Sequence, residues 1–555
     1  MRLNIFHNIL LAPKFFLVIF LICASNFVHA YEGKCGTLQI LQNQLNGVKP
    51  QRSAATLFNS TKCDYSQYYD SVYTIETQHI QVFYVLTGPH ATTKAFADST
   101  AAYMEEAWNF YVTKLGMRSP KGPKITHHYQ KEVKDNLYPI EIIDIGQIRD
   151  PNLYQCNYCF GLTIQRENNT TTQIFMENDF LVGSANAQNQ ETIITNGDTC
   201  FYSKSYIHLR NSAHNFSYSD KWAKGIHLTS FHEFYHAVQL RYTNSISSEN
   251  LFWLEASATG FEEVTNPDID DYFSYIPYLF SDMGEPLSKQ TSSNNNKIYA
   301  ESTFFLYLYN KVSHEIDKLI WENISKNPEK PFEAQLEEAL NKYNLNADSI
   351  FHDYSVYLSL SGNRANDIPK KNWINNDQSE WASANFYNES NIKPEVESLA
   401  FKFYRSPNDH TTPDISNFIG KASVIVYSKD YVTIYKIRNT KTIDSLASIL
   451  SKSDSALWIF SRLGESENIP IVNKNSAPHA FPVPWKQGTL CFAPLPHDKK
   501  FIEIRTRRGD LISQEKYEGT SYCLQEEQVK SKLAPGIYRF RVGNKGKTQS
   551  FIVIY

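Results

Sequence analysis

A chain of 555 residues is too long for one compact core, so two to four domains are expected. Its formal net charge of −4 supplies no basic surface for nucleic acid or an anionic membrane, which excludes those partners as the main ligand. With 42% apolar and 20% charged residues the composition is that of an ordinary globular protein rather than a disordered or fibrous one.

The first 30 residues read as an export signal. Arg2 and Lys14 give a positive flank, Phe15 to Ala24 an apolar run, and Val28-His29-Ala30 a small-x-small cleavage site with a mature start at Tyr31. The run is short for a bilayer, and no later stretch approaches 18 uninterrupted apolar residues, so no stable membrane span is expected. The mature chain is then secreted, periplasmic or held at the cell surface. Of the eight cysteines, Cys23 leaves with the signal. In an oxidising compartment the order along the chain suggests Cys35 with Cys63 and Cys491 with Cys523. Cys156, Cys159 and Cys200 then supply one bridge and one thiol, a connectivity that sequence does not fix.

Residues 31–78 are polar and irregular, a lead-in compatible with a propeptide role. From His79 the texture changes. Ile80 to Leu86, Ile140 to Ile145 and Gln173 to Met176 predict strands, and Ala97 to Leu115 has helical spacing. A central helix over about His227 to Tyr242 follows from Phe231, Tyr235, Val238 and Tyr242 on one face, with further helices at Trp253 to Glu263, 298–313, 314–326 and 331–343. Strands followed by helices give an α+β order for residues 79–375. After a polar stretch, residues 392–555 form a β-rich, sandwich-like domain: Leu399 to Tyr404, Ala422 to Tyr427, Tyr431 to Ile437, Leu457 to Ser461, Phe501 to Arg505, Tyr538 to Val542 and Ser550 to Tyr555 read as strands. Pro535-Gly536 and the Gly543 to Gly546 segment predict turns that close a C-terminal hairpin.

Chemistry concentrates in His232-Glu233-Phe234-Tyr235-His236. On a helix, histidines four apart project from one face a turn apart and can share one metal ion, and Glu233 between them can act as the catalytic base. With 16 histidines in the chain, a random His-Glu-x-x-His is expected only about 0.03 times, so the motif is not noise. Glu255, with eighteen residues intervening after His236, sits on the next helical block and suits a third ligand that leaves a fourth position open. Tyr299 is the candidate donor to a tetrahedral oxyanion. His127, His128 and His352 receive no role: the first two adjoin and point apart, and His352-Asp353 reads as a polar helix face. No Gly-x-Ser-x-Gly elbow, Walker loop or dinucleotide fingerprint is present.

His-Glu-x-x-His, eighteen residues, then Glu resembles the gluzincin class of zinc peptidases. The strings His232 to Gln239 and Trp253 to Glu263, with weaker echoes in His79 to Tyr84, Glu106 to Asn109 and Met176 to Phe180, resemble a family of exported bacterial metalloproteases. The resemblance covers roughly residues 79–330. It implies a zincin-like domain binding Zn2+ through His232, His236 and Glu255, with Glu233 activating a zinc-bound water against a polypeptide substrate. One departure stands out: Thr259 occupies the position where many gluzincins carry an aspartate that orients a ligand histidine, so that duty passes elsewhere, with Glu262 as the candidate. A rival from another class remains open, a surface adhesion or binding protein whose C-terminal domain does the work and whose zinc site is vestigial or structural.

Overall fold

The computed structural model describes Cys35, Thr37 and Leu41 of the N-terminal segment. From residue 71 onward it describes all but 89, 146–158, 167–169, 179–189, 196–197, 204–220, 244–245, 249, 282, 290–295, 369–372, 407–411, 465–478, 482–484, 494, 496–500, 518–521 and 544–547. The expected signal, Cys63, Cys156 and the turn residues Asn544 to Gly546 lie outside the described residues. Helix and sheet are mixed, with several separate sheets, as an α+β layout requires. No described helix is long and apolar enough to cross a membrane. The chain falls into two compact units, Met1–Asn244 with Gln290–Lys297 and Ser245–Lys289 with Ile298–Tyr555. The expected break at 376–391 therefore lies inside the second unit.

The first unit is built on a five-stranded sheet in the order β1-β2-β3-β5-β4, formed by β1 (Tyr73–Glu76), β2 (Ile80–Tyr84), β3 (Tyr138–Ile143), β4 (Gly161–Arg166) and β5 (Thr171–Glu177). β2, β3 and β5 run parallel, and their near-unbroken burial explains why they read as apolar runs rather than alternating ones. β4 pairs antiparallel with β5 and ends the order on that side. Helix α1 (Lys94–Trp108) starts at Thr93, whose hydroxyl accepts the Phe96 N–H, and buries Phe96, Ala97, Thr100, Ala101, Met104 and Ala107. It continues into a π-helical segment, Asn109–Lys114, whose buried Tyr111 donates its hydroxyl to the Phe231 carbonyl on α2 (Lys221–Gln239). Phe231, Tyr235, Val238 and Tyr242 are all buried, as their spacing predicts, but so are His232, Glu233 and His236 on the same helix. An additional antiparallel pair, β6 (Gln190–Thr195) and β7 (Asp198–Ser203), was not foreseen.

In the second unit, α3 (Leu251–Thr265) is almost wholly buried; Trp253 donates its indole N–H to Asp317 at 2.8 Å. A Cβ at Gly260 would stand 2.1 Å from the Phe305 ring, so glycine is what lets α3 pack closely on the helix carrying Phe305. Three short helices follow: α4 (Ile276–Ser281), α5 (Lys297–Ala300) and α6 (Ser302–Lys311). After them come α7 (Ile316–Lys326), α8 (Phe332–Asn341) and α9 (Ala347–Ser359). Next comes a sheet ordered β11-β10-β12-β9-β8, with β8 (Tyr387–Asn388), β9 (Ala400–Ser406), β10 (Lys421–Ser428), β11 (Tyr431–Ile437) and β12 (Ser455–Arg462). One face packs Val424, Val426, Trp458 and Phe460 against Ile443, Leu446 and Leu450 of α10 (Thr440–Leu450). The other face meets α9, where His352 lies between Ser423 and Ser461 at 2.7 and 2.8 Å. His352 is thus buried, not on a polar helix face: the β-rich segment supplies a second surface to α9 that helical periodicity alone cannot show.

The last module has its own core. A three-stranded sheet, β13 (His479–Phe481), β14 (Leu490–Ala493) and β17 (Tyr522–Leu524), shares buried Leu490, Phe492 and Leu524 with Ile502, Phe540 and Phe551 of a four-stranded sheet. That sheet runs β16 (Leu511–Lys516), β15 (Phe501–Thr506), β18 (Gly536–Val542), β19 (Gln549–Val553), and the two-sheet arrangement is sandwich-like. β18 and β19 pair antiparallel from Gly536↔Val553, the expected C-terminal hairpin, with Gly543 at φ 64° as the turn begins. Residues 392–555 therefore hold two cores rather than one sandwich, and include two helices, α10 and α11 (Glu526–Lys532), that strand patterning missed. Cys491 and Cys523 are opposed in register on β14 and β17 and are bridged, as chain order suggested.

Candidate metal centre

Helical spacing puts the imidazoles of His232 and His236 on one side of α2, with their Nε2 atoms 3.0 Å apart. His236 Nδ1 faces Gln239 Oε1 at 2.7 Å. With an amide oxygen as its partner, Nδ1 carries the proton, and Nε2 presents its lone pair to the centre. Gln239, not Glu262, is therefore the residue that orients this histidine. Its position three residues on along the same helix was a readable signal.

Cys35, His232 and His236, all within the first unit, each present one buried ligand atom, and these atoms lie within 4.8 Å of one another. Cys35 Sγ stands 3.3 Å from His236 Nε2. Metal bonds of about 2.0–2.1 Å to nitrogen and 2.3 Å to sulfur place the edges of a tetrahedron at roughly 3.3 Å for two nitrogens and 3.6 Å for nitrogen and sulfur. The two observed edges, 3.0 and 3.3 Å, are short of these by only about 0.3 Å each. Two imidazoles and a sulfur around one point form a donor set that could hold a metal, and soft sulfur with nitrogen suits zinc better than magnesium or calcium. Cys35 forms no disulfide, so the expected bridge to Cys63 is not made; burial and its place beside His236 put its sulfur to another use. Cys159, by contrast, is disulfide-bonded, with its partner outside the described residues.

Glu233 lies at the junction of α2 and the edge strand β4. Its Oε2 is 2.7 Å from Thr163 Oγ1 and 3.3 Å from Thr37 Oγ1, and the Thr37 oxygen in turn accepts the Thr163 N–H at 2.9 Å. A Cβ at residue 161 would come within 2.4 Å of Glu233 Cγ and 2.7 Å of Thr229 Cγ2, so glycine at the start of β4 is what admits the carboxylate. Cys35 forms a parallel bridge with that same glycine. Sequence reasoning missed Cys35, Thr37, Gly161 and Thr163, because strand-to-helix neighbours so far apart along the chain leave no local pattern.

Tyr299 is buried on α5 with its ring 4.9 Å from Tyr275, and Thr259 and Glu262 are buried on α3. Elsewhere in the first unit, His128 is held below the usual imidazole range, at about 4, by burial. Glu141, which accepts the His128 and Tyr129 N–H groups, is pushed up to about 7 by burial. These groups brace a loop against β3.

No known protein family and no curated protein matches this chain. Among solved structures, it is similar over a short stretch to PorZ, described as an essential bacterial surface component of the type-IX secretion system of Porphyromonas gingivalis. The match has 18% identity, a TM-score of 0.14, and covers 18% of this chain and 14% of that one.

Proposed function

We propose that the protein is an exported zinc-dependent endopeptidase in which His232, His236 and Glu255 hold the ion and Glu233 is the catalytic base. The observation that carries this reading is the convergence of the His232 and His236 imidazoles on one buried point, with the Glu233 carboxylate from the same helix turn beside them. Zinc in such a site supplies Lewis-acid polarisation of a carbonyl and makes water nucleophilic near neutral pH. The remaining work falls to this chain's own groups. Thr163 fixes Glu233 Oε2, leaving Oε1, which faces Gly161, to accept a proton from attacking water and return it to the departing amine. Gln239 keeps His236 in the tautomer that ligates. Tyr299 is proposed as the donor to the developing oxyanion.

Replacing Glu233 by Gln keeps shape and removes the base. Zinc content should stay near one per chain while cleavage of an unfolded polypeptide falls by roughly 10²–10⁴-fold. A Glu233→Gln protein with undiminished cleavage would sink the assignment.

One observation favours a second reading. Cys35, 3.3 Å from His236 Nε2, would close the proposed ligand set at four, the hallmark of structural rather than catalytic zinc, as suits a surface-binding protein. The two readings part on whether Cys35 can be removed without losing the metal.

A further inference from the structure

The geometry points to Cys35 as a displaceable metal ligand, standing where the proposed site would otherwise keep a place for water. This rests on the peptidase reading above. Four contacts, all within the first unit, converge from two residues only two apart. Cys35 Sγ lies 3.3 Å from His236 Nε2, the position an open catalytic site keeps for water or substrate. Thr37 Oγ1 lies 3.3 Å from Glu233 Oε2, so the same strip of chain that blocks the ion also engages the base. The strip is held in place by the backbone of the edge strand β4: Cys35 bridges Gly161, and the Thr163 N–H donates to Thr37 Oγ1 at 2.9 Å. Added to an edge strand, this segment occupies backbone groups to which an extended polypeptide would otherwise pair.

Ligation requires the thiolate. As a ligand Cys35 would be a thiolate, its proton released to solvent, and off the ion it would take a proton back from solvent and be a thiol again. No oxidant or reductant is involved. A structural site would lose the metal when the sulfur is removed, whereas a three-ligand catalytic site keeps it.

The test uses the full mature chain loaded with Co2+ for spectroscopy and with Zn2+ for activity, as wild type, Cys35→Ala, Cys35→Ser and Thr37→Val. Cobalt bound to wild type should show a thiolate-to-metal charge-transfer band that both Cys35 variants lack. Both should still bind one metal ion. Zinc-loaded Cys35→Ala should cleave unfolded polypeptide at least tenfold faster than wild type, and Thr37→Val, which removes the acceptor of the Thr163 N–H but leaves the sulfur, by a smaller factor. A charge-transfer band unchanged in Cys35→Ala overturns the proposal, as does loss of metal from both Cys35 variants, or wild-type cleavage as fast as that of Cys35→Ala. If the band vanishes and metal is retained but no variant cleaves anything, Cys35 stands as a displaceable ligand, and it is the peptidase reading that fails.

Discussion

Gln239 illustrates how one neutral side chain can set the quality of a metal site. Its oxygen sits 2.7 Å from His236 Nδ1 and holds the ring both in orientation and in tautomer. Outer partners of this kind typically govern metal affinity by 10–100-fold. Gln239→Leu should therefore weaken zinc binding by about that factor in a competition titration with a chromophoric chelator, and Gln239→Glu should hold zinc at least as well as wild type. Equal affinity in Gln239→Leu would remove Gln239 from the site. At this scale the sequence was informative where spacing is local. His232, Glu233 and His236 announce themselves through helical periodicity, and Glu255 through its distance to the next helix. Cys35 and Thr37 do not. Cys35 meets His236 across 201 positions, and a lone cysteine in a polar lead-in reads more naturally as half of a disulfide.

Elements were legible in proportion to how cleanly each buries one face. The parallel strands, α2 and most strands after residue 399 follow their hydrophobic patterns. β4 and the pair β6–β7 escaped, because Thr163, Gln165 and Arg166 in β4 and Gln190, Glu191 and Asp198 in the pair break up the apolar runs by which the other strands were read. α9 was read as a helix-face problem and is really a helix–sheet one, with His352 wedged between Ser423 and Ser461. Burial first, then Lys421 and Lys436, hold that imidazole at about 3, so it is neutral in the folded unit. An unfolded chain protonates it near 6.5, so its contribution to stability is fully present above that pH and lost as pH falls toward 3. Glu263 in the same unit has the opposite sign. Burial raises its carboxyl to about 7, so acidification from 7 to 4.5 favours the folded state there. These two groups together predict a nearly level stability from pH 6.5 to 4.5, then a fall of up to about 1.4 kcal/mol per pH unit between 4.5 and 3. Thermal melts across this range should show that break. His352→Gln, which cannot take up the proton, should flatten the lower limb; an unchanged limb would mean that His352 does not govern it.

For the molecule as a whole, composition and patterning conveyed the mixture of helix and sheet and the β-rich character of the C-terminal region. They did not show that this region contains two cores. Core membership depends on which strands face one another, and the sequence specifies register within a hairpin far better than pairing between sheets. The bridge between Cys491 and Cys523 helps fix that pairing: the chain between them contributes β15 and β16 to the facing sheet before returning to β17. Closing a loop of 32 residues is worth roughly 3–4 kcal/mol on chain-entropy grounds.

That bridge has a consequence for how the protein matures. One chain carries sulfurs that must be oxidised, those of Cys159, Cys491 and Cys523, and, at Cys35, one that as a metal ligand must not be. Metal-bound thiolate is shielded from disulfide exchange by its ligation, whereas an empty site offers a thiol to the same oxidant that joins Cys491 to Cys523. If Cys35 ligates zinc as proposed, the metal has to arrive before oxidation is complete. Oxidative refolding with zinc present should leave Cys35 as a thiol by peptide mass mapping, while refolding with a chelator should divert it into non-native disulfides; a Cys35 that stays reduced either way would show that burial alone protects it. On that proposal, the order of metal arrival and oxidation decides whether the sulfur of Cys35 ends as a metal ligand or in a non-native disulfide.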